Sequence, residues 1–331
     1  MQTIRSRSPM RISFAGGGTD IKAYFEKYGG VVISATIGIY AYSSLTPRND
    51  KIVFIKEPAF NIDYSIDLKN GNVRGKASQF FDAIIKHFKP ENGFYLISHI
   101  DTEYGSGLGS SSAMMVSLVG VFNKWLNLNL NEYEIANLAC KIEREDLAIA
   151  GGFQDQYAST FGGFNFIEFK KDDIIVNRMK IKQDVINELQ FRLLLVNLHA
   201  PRFSGIIHKQ MQKTLNEPEV LEHYEAIKKL AIEIKNRIYK GNFDDFGHLL
   251  KEEWGHKKKL SEGITNPQID AFFEHCEKNG ALGYKLLGAG GGGYALLFTD
   301  AEHKHDLIKS LAGYEIRNVE FVKNGLEVWS I

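Results

Sequence analysis

The alternation of apolar and polar positions divides the chain into strands, helices and glycine-rich joints. Arg11–Phe14 reads as a short strand entered through Pro9. Gly30–Leu45, rich in β-branched and aromatic residues, reads as a strand or hairpin. Lys51–Lys56 and Phe94–Ile100 are further strands, and Ala77–Phe88 has helical periodicity. The segment from Met114 to Leu126 is apolar nearly all round, which predicts a buried helix. Asn131–Ile149 predicts an amphipathic helix with Asn131 as its cap. Gly163–Phe169 and Asp172–Met179 read as strands, the polar segment Lys180–Glu188 as a connection between domains, and Phe191–Leu198 as a buried strand. Helices follow over Val220–Tyr239, Asp244–Leu260 and Asn266–Lys278. The chain then gives an apolar strand ending at Phe298, a helix near His303–Ala312 and strands around Tyr314–Ser330.

At 331 residues, two domains are expected. Forty Lys and Arg balance forty Asp and Glu, so no global field favours nucleic acid or an anionic membrane. No apolar run approaches the length of a membrane span, and the N-terminus lacks a signal-peptide core. Cys140 and Cys276 lie far apart and read as reduced core thiols of a cytoplasmic protein. The ten histidines form no metal-binding motif.

Three joints carry candidate chemistry. Gly105, Gly107 and Gly109 alternate in a loop that continues through Ser110, Ser111 and Ser112 into the buried helix. Glycines permit close approach of backbone to a ligand, serines suit a helix N-cap, and a helix N-terminus attracts an anion. The loop lacks the Gly-Lys-Ser/Thr ending of a P-loop and the G-x-G-x-x-G spacing of a dinucleotide site. The second joint, Ala15–Asp20, places three glycines after a strand. Thr19 and Asp20 are expected to cap a short helix over Ile21–Tyr28, and the same polar strand end suits a hydroxylated substrate. The third, KLLGAGGGGYALLF from Lys285, has more glycines than a hairpin needs and implies close packing on a ligand or another loop.

Between these joints, Asp155 sits in GGFQDQYASTFGG, twelve positions after Glu143. Asp155 reads either as a turn or cap residue or as a contact to a reacting hydroxyl; with Glu143 folded back beside it, one acid could hold a metal. Arg202, beside a helix start, suits a second anion or an ordinary exposed position near a cap. The run Lys257-Lys258-Lys259 follows the pattern of a solvated helix face.

SPMRISFAGGGTD, GSGLGSSSA and KLLGAGGGGYAL, in that order, resemble the three glycine-rich motifs of the GHMP kinases. The resemblance spans Pro9 to Phe298 and implies an α+β fold with an S5-like N-terminal domain, taken as 1–185, and a ferredoxin-like C-terminal domain, 186–331. It implies ATP-dependent phosphoryl transfer with Mg²⁺. On the family pattern Gly105, Gly107, Leu108, Gly109, Ser110, Ser111 and Ser112 cradle the ATP phosphates, and Ser111 and Glu143 hold Mg²⁺. Asp155 accepts or orients the acceptor hydroxyl proton, supported by Arg11. Phe14–Asp20, the Tyr24–Ser34 region and Trp254 with its lysines are most similar to the D-glycero-D-manno-heptose 7-phosphate kinases, which phosphorylate the anomeric hydroxyl. Gly16-Gly17-Gly18 stands where galactokinases have Gly-Glu-His, which counts against galactose, while L-fucose kinases share related motifs. Gly17, Gly18, Thr19 and Asp20 are thus expected to meet the sugar, Arg202, Ser204 and Lys257 or Lys258 its phosphate, and Gly290 and Gly291 the substrate side. Partners are then a sugar phosphate and ATP, and a homodimer is the default assembly. A silent sugar sensor on the same scaffold is disfavoured, because Asp155, Glu143 and Ser111 are all retained.

Overall fold

The computed structural model describes residues 2–58, 61–75, 78–199 and 204–331, the last range without the side chain of Ser204. Its larger sheet is built around two long strands, β1 (Ile4–Ala15) and β2 (Gly30–Pro47), paired antiparallel from Ile4 against Leu45 to Ala15 against Ile33. β1 begins well before the expected strand. Pro9 lies inside it, at a shift of register between Pro9 and Met10, where a missing N–H is tolerated. β2 is one continuous strand. Its first half pairs with β7 (Phe164–Phe169) and its second half with β6 (Phe94–Ile100). β3 (Ile52–Glu57), β4 (Ile62–Asp67) and β5 (Val73–Gly75) extend the sheet past β6, and β8 (Ile174–Arg178) extends it past β7. The strand β13 (Glu327–Ser330) returns from the far end of the chain to pair with β1.

The helices over this sheet are α2 (Gln79–Phe88), α3 (Ser110–Trp125), α4 (Glu132–Lys141) and α5 (Gln154–Phe161). α3 is buried on every side, as its all-round apolar pattern requires. Halfway along it, Gly120 lies so close to Leu326 and Val328 that a Cβ would approach Leu326 to 2.9 Å. α4 starts in a capping box: Asn131 Oδ1 accepts from the Glu134 N–H, and Glu134 Oε2 accepts from the Asn131 N–H. The expected single helix stops at Lys141, and a π-helical turn, Ile142–Asp146, carries Glu143.

The second sheet contains β9 (Leu193–Asn197), β10 (Gly283–Leu286), β11 (Tyr294–Phe298) and β12 (Glu315–Asn318). Its spatial order, β10-β11-β9-β12, is fully antiparallel and is that of a ferredoxin-like sheet. The segment expected to connect two domains is largely helical, α6 (Gln183–Arg192), and the expected boundary at 185/186 falls inside it. α7 (Ser204–Thr214), α8 (Pro218–Lys240), α9 (Phe246–Lys257), α10 (Pro267–Lys278) and α11 (Lys304–Ser310) complete this half. Phe246 of α9 meets Phe14 of β1 edge-on at 6.1 Å, and one core cluster runs from Phe14 and Leu118 through Leu195 to Leu249. The two sheets therefore share buried surface, and a cleft between the glycine joints opens at their junction.

Candidate active site

The cleft is floored by the loop that enters α3. Gly105, Gly107 and Gly109 all take positive φ, which explains their alternation. Gly109 is the left-handed N-cap residue, and no side chain caps the helix. Ser110, Ser111 and Ser112 are not caps but the first helical turn, so the positive end of α3 faces the cavity uncapped. The loop is pinned by Arg11, whose backbone N–H donates to the Leu108 carbonyl at 3.0 Å and whose Nη1 donates to the Gly107 carbonyl at 2.5 Å. Leu108 itself is buried beneath the loop.

Arg11 also holds Asp155. Its Nε and Nη2 both reach Asp155 Oδ1, at 2.7 and 2.5 Å. Arg11 is buried on β1, while Asp155, in the first turn of α5, is partly open to the cavity. The other oxygen, Oδ2, faces Gly109: a Cβ there would lie 3.1 Å away. The Arg11–Asp155 pair and the loop that enters α3 are thus in contact.

Glu143 also lines the cavity and is buried. The Ser111 hydroxyl donates to Oε1, while Ser112 Oγ and Gln156 Nε2 donate to Oε2 at 2.7 and 2.6 Å. A hydroxyl and a carboxylate side by side are the hard oxygen donors that Mg²⁺ takes, and the remaining positions of such an ion suit water and phosphate oxygens. Among the described residues no group of three or more His, Cys, Asp or Glu is clustered for a metal. The donor set of Ser111 and Glu143 therefore fits Mg²⁺ shared with a nucleotide better than a metal caged by protein.

The glycine-rich joint after β1 forms the third wall. Asp20 does not cap α1 (Lys22–Tyr28); that helix has Ile21 at its N-cap and no capping side chain. Instead Asp20 Oδ1 accepts from the Gly18 N–H at 2.8 Å, and Oδ2 accepts from the backbone and side-chain nitrogens of Gln154, each at 3.1 Å. Asp20 and Gly18 line the cavity, with Gly17 just behind. Thr19 turns away: its hydroxyl donates to the Gly16 and Val31 carbonyls and accepts from the Val31 N–H, so it braces the turn.

Lys257 departs most from the expected solvated run. It is buried in the cavity wall, and its Nζ donates to the Gly17 carbonyl at 2.7 Å. Burial pushes its ammonium down to about 8, against the pull of Glu253 and Asp20. Its neighbour Lys258 faces outward and pairs with Asp270 at 3.1 Å, outside this cavity. Arg202 lies outside the described residues, and Ser204 is described only as the backbone start of α7.

Gly290 and Gly291 are not in the wall. The Gly291 N–H donates to the Ile264 carbonyl at 2.8 Å, and a Cβ on Gly290 would lie 2.6 Å from that oxygen. Gly288 and Ala289 reach the cavity instead. At the end of the same loop a Cβ on Gly293 would fall 2.3 Å from the Ser106 carbonyl, which accepts the Tyr294 N–H at 2.8 Å. The third glycine run therefore packs on the loop that enters α3. Sequence reasoning passed over Arg144, Gln154 and Gln156; each adjoins a residue it did single out, but their contacts arise only when the π-helical turn and α5 meet.

Residues 76–163 match the model of the GHMP kinases N terminal domain, and residues 210–314 that of the GHMP kinases C terminal. The chain is 40% identical over the full length of both proteins to the D-glycero-alpha-D-manno-heptose 7-phosphate kinase of Campylobacter jejuni. The chain belongs to the GHMP kinases. Another relative, the L-fucokinase/L-fucose-1-P guanylyltransferase of Bacteroides fragilis, is 26% identical over 88% of this chain but only 34% of that protein. Among solved structures, the D-glycero-D-manno-heptose 1-phosphate kinase of Bacteroides thetaiotaomicron superposes with a TM-score of 0.80 at 28% identity, covering 99% of each chain. Membership makes ATP a substrate of this GHMP kinase.

Proposed function

We propose that this kinase transfers the γ-phosphate of ATP to the anomeric hydroxyl of D-glycero-D-manno-heptose 7-phosphate, giving the 1,7-bisphosphate. The observation that supports it best is the meeting, in one cavity, of the uncapped α3 terminus, the Arg11–Asp155 pair and the buried Lys257 beside Asp20. The choice of acceptor follows the full-length similarity to the Campylobacter enzyme.

In this reading the N–H groups of Gly109–Ser112 bind the ATP phosphates. Arg11 fixes one oxygen of Asp155, and the other orients the anomeric hydroxyl and takes its proton as the oxygen attacks phosphorus. Mg²⁺ held by Ser111 and Glu143 would neutralise charge on the phosphates. Asp20, with Gly17 and Gly18, orients sugar hydroxyls, and the Lys257 ammonium, bonded to the Gly17 carbonyl, faces the acceptor. The fucose-kinase reading keeps this machinery and gives Lys257 a hydroxyl instead of an anion; the Bacteroides fragilis relative is what favours it. Phosphorus NMR of the product distinguishes the acceptors. A new phosphate ester on the anomeric carbon of the 7-phosphate is expected. A phosphate at any other carbon would overturn the assignment of the reacting hydroxyl to the Asp155 side of the cavity.

A further inference from the structure

Arg144 is a cavity residue to which the proposed reaction has so far assigned nothing. It follows Glu143 in the π-helical turn, a distortion that recurs at functional sites. Its guanidinium is nearly buried and reaches in two directions. Toward the nucleotide side, Nη1 lies 3.5 Å from Glu143 Oε1, the oxygen that also accepts from Ser111. Toward the acceptor side, Nη1 donates to the Ile149 carbonyl at 3.3 Å and Nε to the Gly152 carbonyl at 3.1 Å.

The loop it holds is shaped around it. A Cβ on Gly151 would fall 2.7 Å from the guanidinium carbon, so a side chain there would displace the arginine. A Cβ on Gly152 would fall 1.9 Å from Asp20 Oδ2, so the same loop abuts the carboxylate that faces the sugar side. Immediately after it, Phe153 donates its N–H to the Asp20 carbonyl at 3.1 Å, and α5 begins with Gln154 and Asp155. One planar cation therefore bridges the Ser111–Glu143 pair to the loop that sets Asp20 and the start of α5.

We propose that Arg144 is a positioning residue that sets the nucleotide-side carboxylate and the acceptor loop in one fixed relation. The inference rests on the phosphoryl-transfer reading. A lysine keeps the charge but has one nitrogen where Arg144 uses two, so it cannot hold Glu143 and both carbonyls together.

The test compares wild type, Arg144→Met and Arg144→Lys in the full chain. Acceptor binding is measured by calorimetry with a non-hydrolysable ATP analogue, turnover is measured with and without added guanidinium, and melting is followed for each protein. In Arg144→Met, kcat is expected to fall about 10²-fold, the size of a small misplacement of reacting groups. Weaker acceptor binding and partial recovery of turnover with guanidinium are also expected; Arg144→Lys should recover less than half of wild-type turnover. Wild-type kinetics and acceptor affinity in Arg144→Met would overturn the inference and leave the kinase reading standing. So would a loss that tracks only the unfolded fraction, with unchanged affinity and no rescue. Should Arg144→Met fail to fold, Arg144→Lys decides alone: full turnover overturns the inference. A wild-type protein inactive on every sugar phosphate removes the underlying reading, and the inference with it.

Discussion

At the residue scale, the proposed reaction gives proton chemistry to Asp155 and recognition to Lys257. Asp155→Asn preserves shape and the Arg11 contact but removes the proton acceptor. A drop in kcat on the order of 10² to 10⁴-fold is expected, with melting little changed. Near wild-type turnover would take Asp155 out of the mechanism. Lys257 gives a pH prediction. Its folded value of about 8 lies below the ordinary lysine value of 10.5. Between those values the unfolded chain binds the extra proton, so this group makes stability rise with pH through that window, and below about 8 its burial is a constant cost. The slope from one proton is at most about 1.4 kcal/mol per pH unit. Lys257→Met removes it, so urea midpoints at pH 8 and 10 should rise less for the variant than for the wild type. Parallel behaviour of the two proteins would mean that the ammonium is hydrated. Acceptor affinity should fall as the ammonium titrates, that is, as pH rises through about 8.

At the scale of elements, the site is made where loops touch. Gly293 has φ +82°, and a Cβ there would collide with the Ser106 carbonyl. Gly293→Ala should therefore push the 105–112 loop out of place, raising the KM for ATP about tenfold and destabilising the fold by roughly 1–3 kcal/mol. An unchanged KM for ATP in steady-state assays would uncouple the two loops. The same contacts explain what the sequence could and could not reveal. The motif glycines around Gly17, Gly109 and Gly290 announced loops, and the apolar run of α3 announced a buried helix. The serines of 110–112 and the Thr19–Asp20 pair looked like caps because their local spacing suits capping. Tertiary partners, Glu143 for Ser111 and Ser112 and Gln154 for Asp20, took the side chains elsewhere. Lys257 looked solvated because a lysine run carries no sign of which member faces the adjoining half of the molecule.

At the scale of the whole molecule, the two sheets are tied together. Lys285 of β10, itself buried, donates to the Phe14 carbonyl at 2.9 Å and pairs with Glu253 of α9 at 2.6 Å, while Lys257 reaches Gly17. Both lysines thus anchor the end of β1 and the turn after it to the second half. The order of elements and the ferredoxin-like half were readable from periodicity and family resemblance. The return of β13 to β1 was not, since a short terminal strand carries no mark of its partner. Removing residues 326–331 should strip the cover from Gly120 and bare the outer edge of β1. Melting several degrees lower, with aggregation, is expected; an unchanged melting curve would show that β13 adds little.

No helix among the described residues is long and apolar enough to cross a membrane. The most direct test is steady-state ATP consumption with Mg²⁺ across D-glycero-D-manno-heptose 7-phosphate, the 1-phosphate, the unphosphorylated heptose, L-fucose, galactose and mevalonate. Turnover with the 7-phosphate is expected at a kcat/KM about a hundredfold or more above the rest. Equal or better turnover with the 1-phosphate, or with an unphosphorylated sugar, would contradict it and leave Lys257 without its anion.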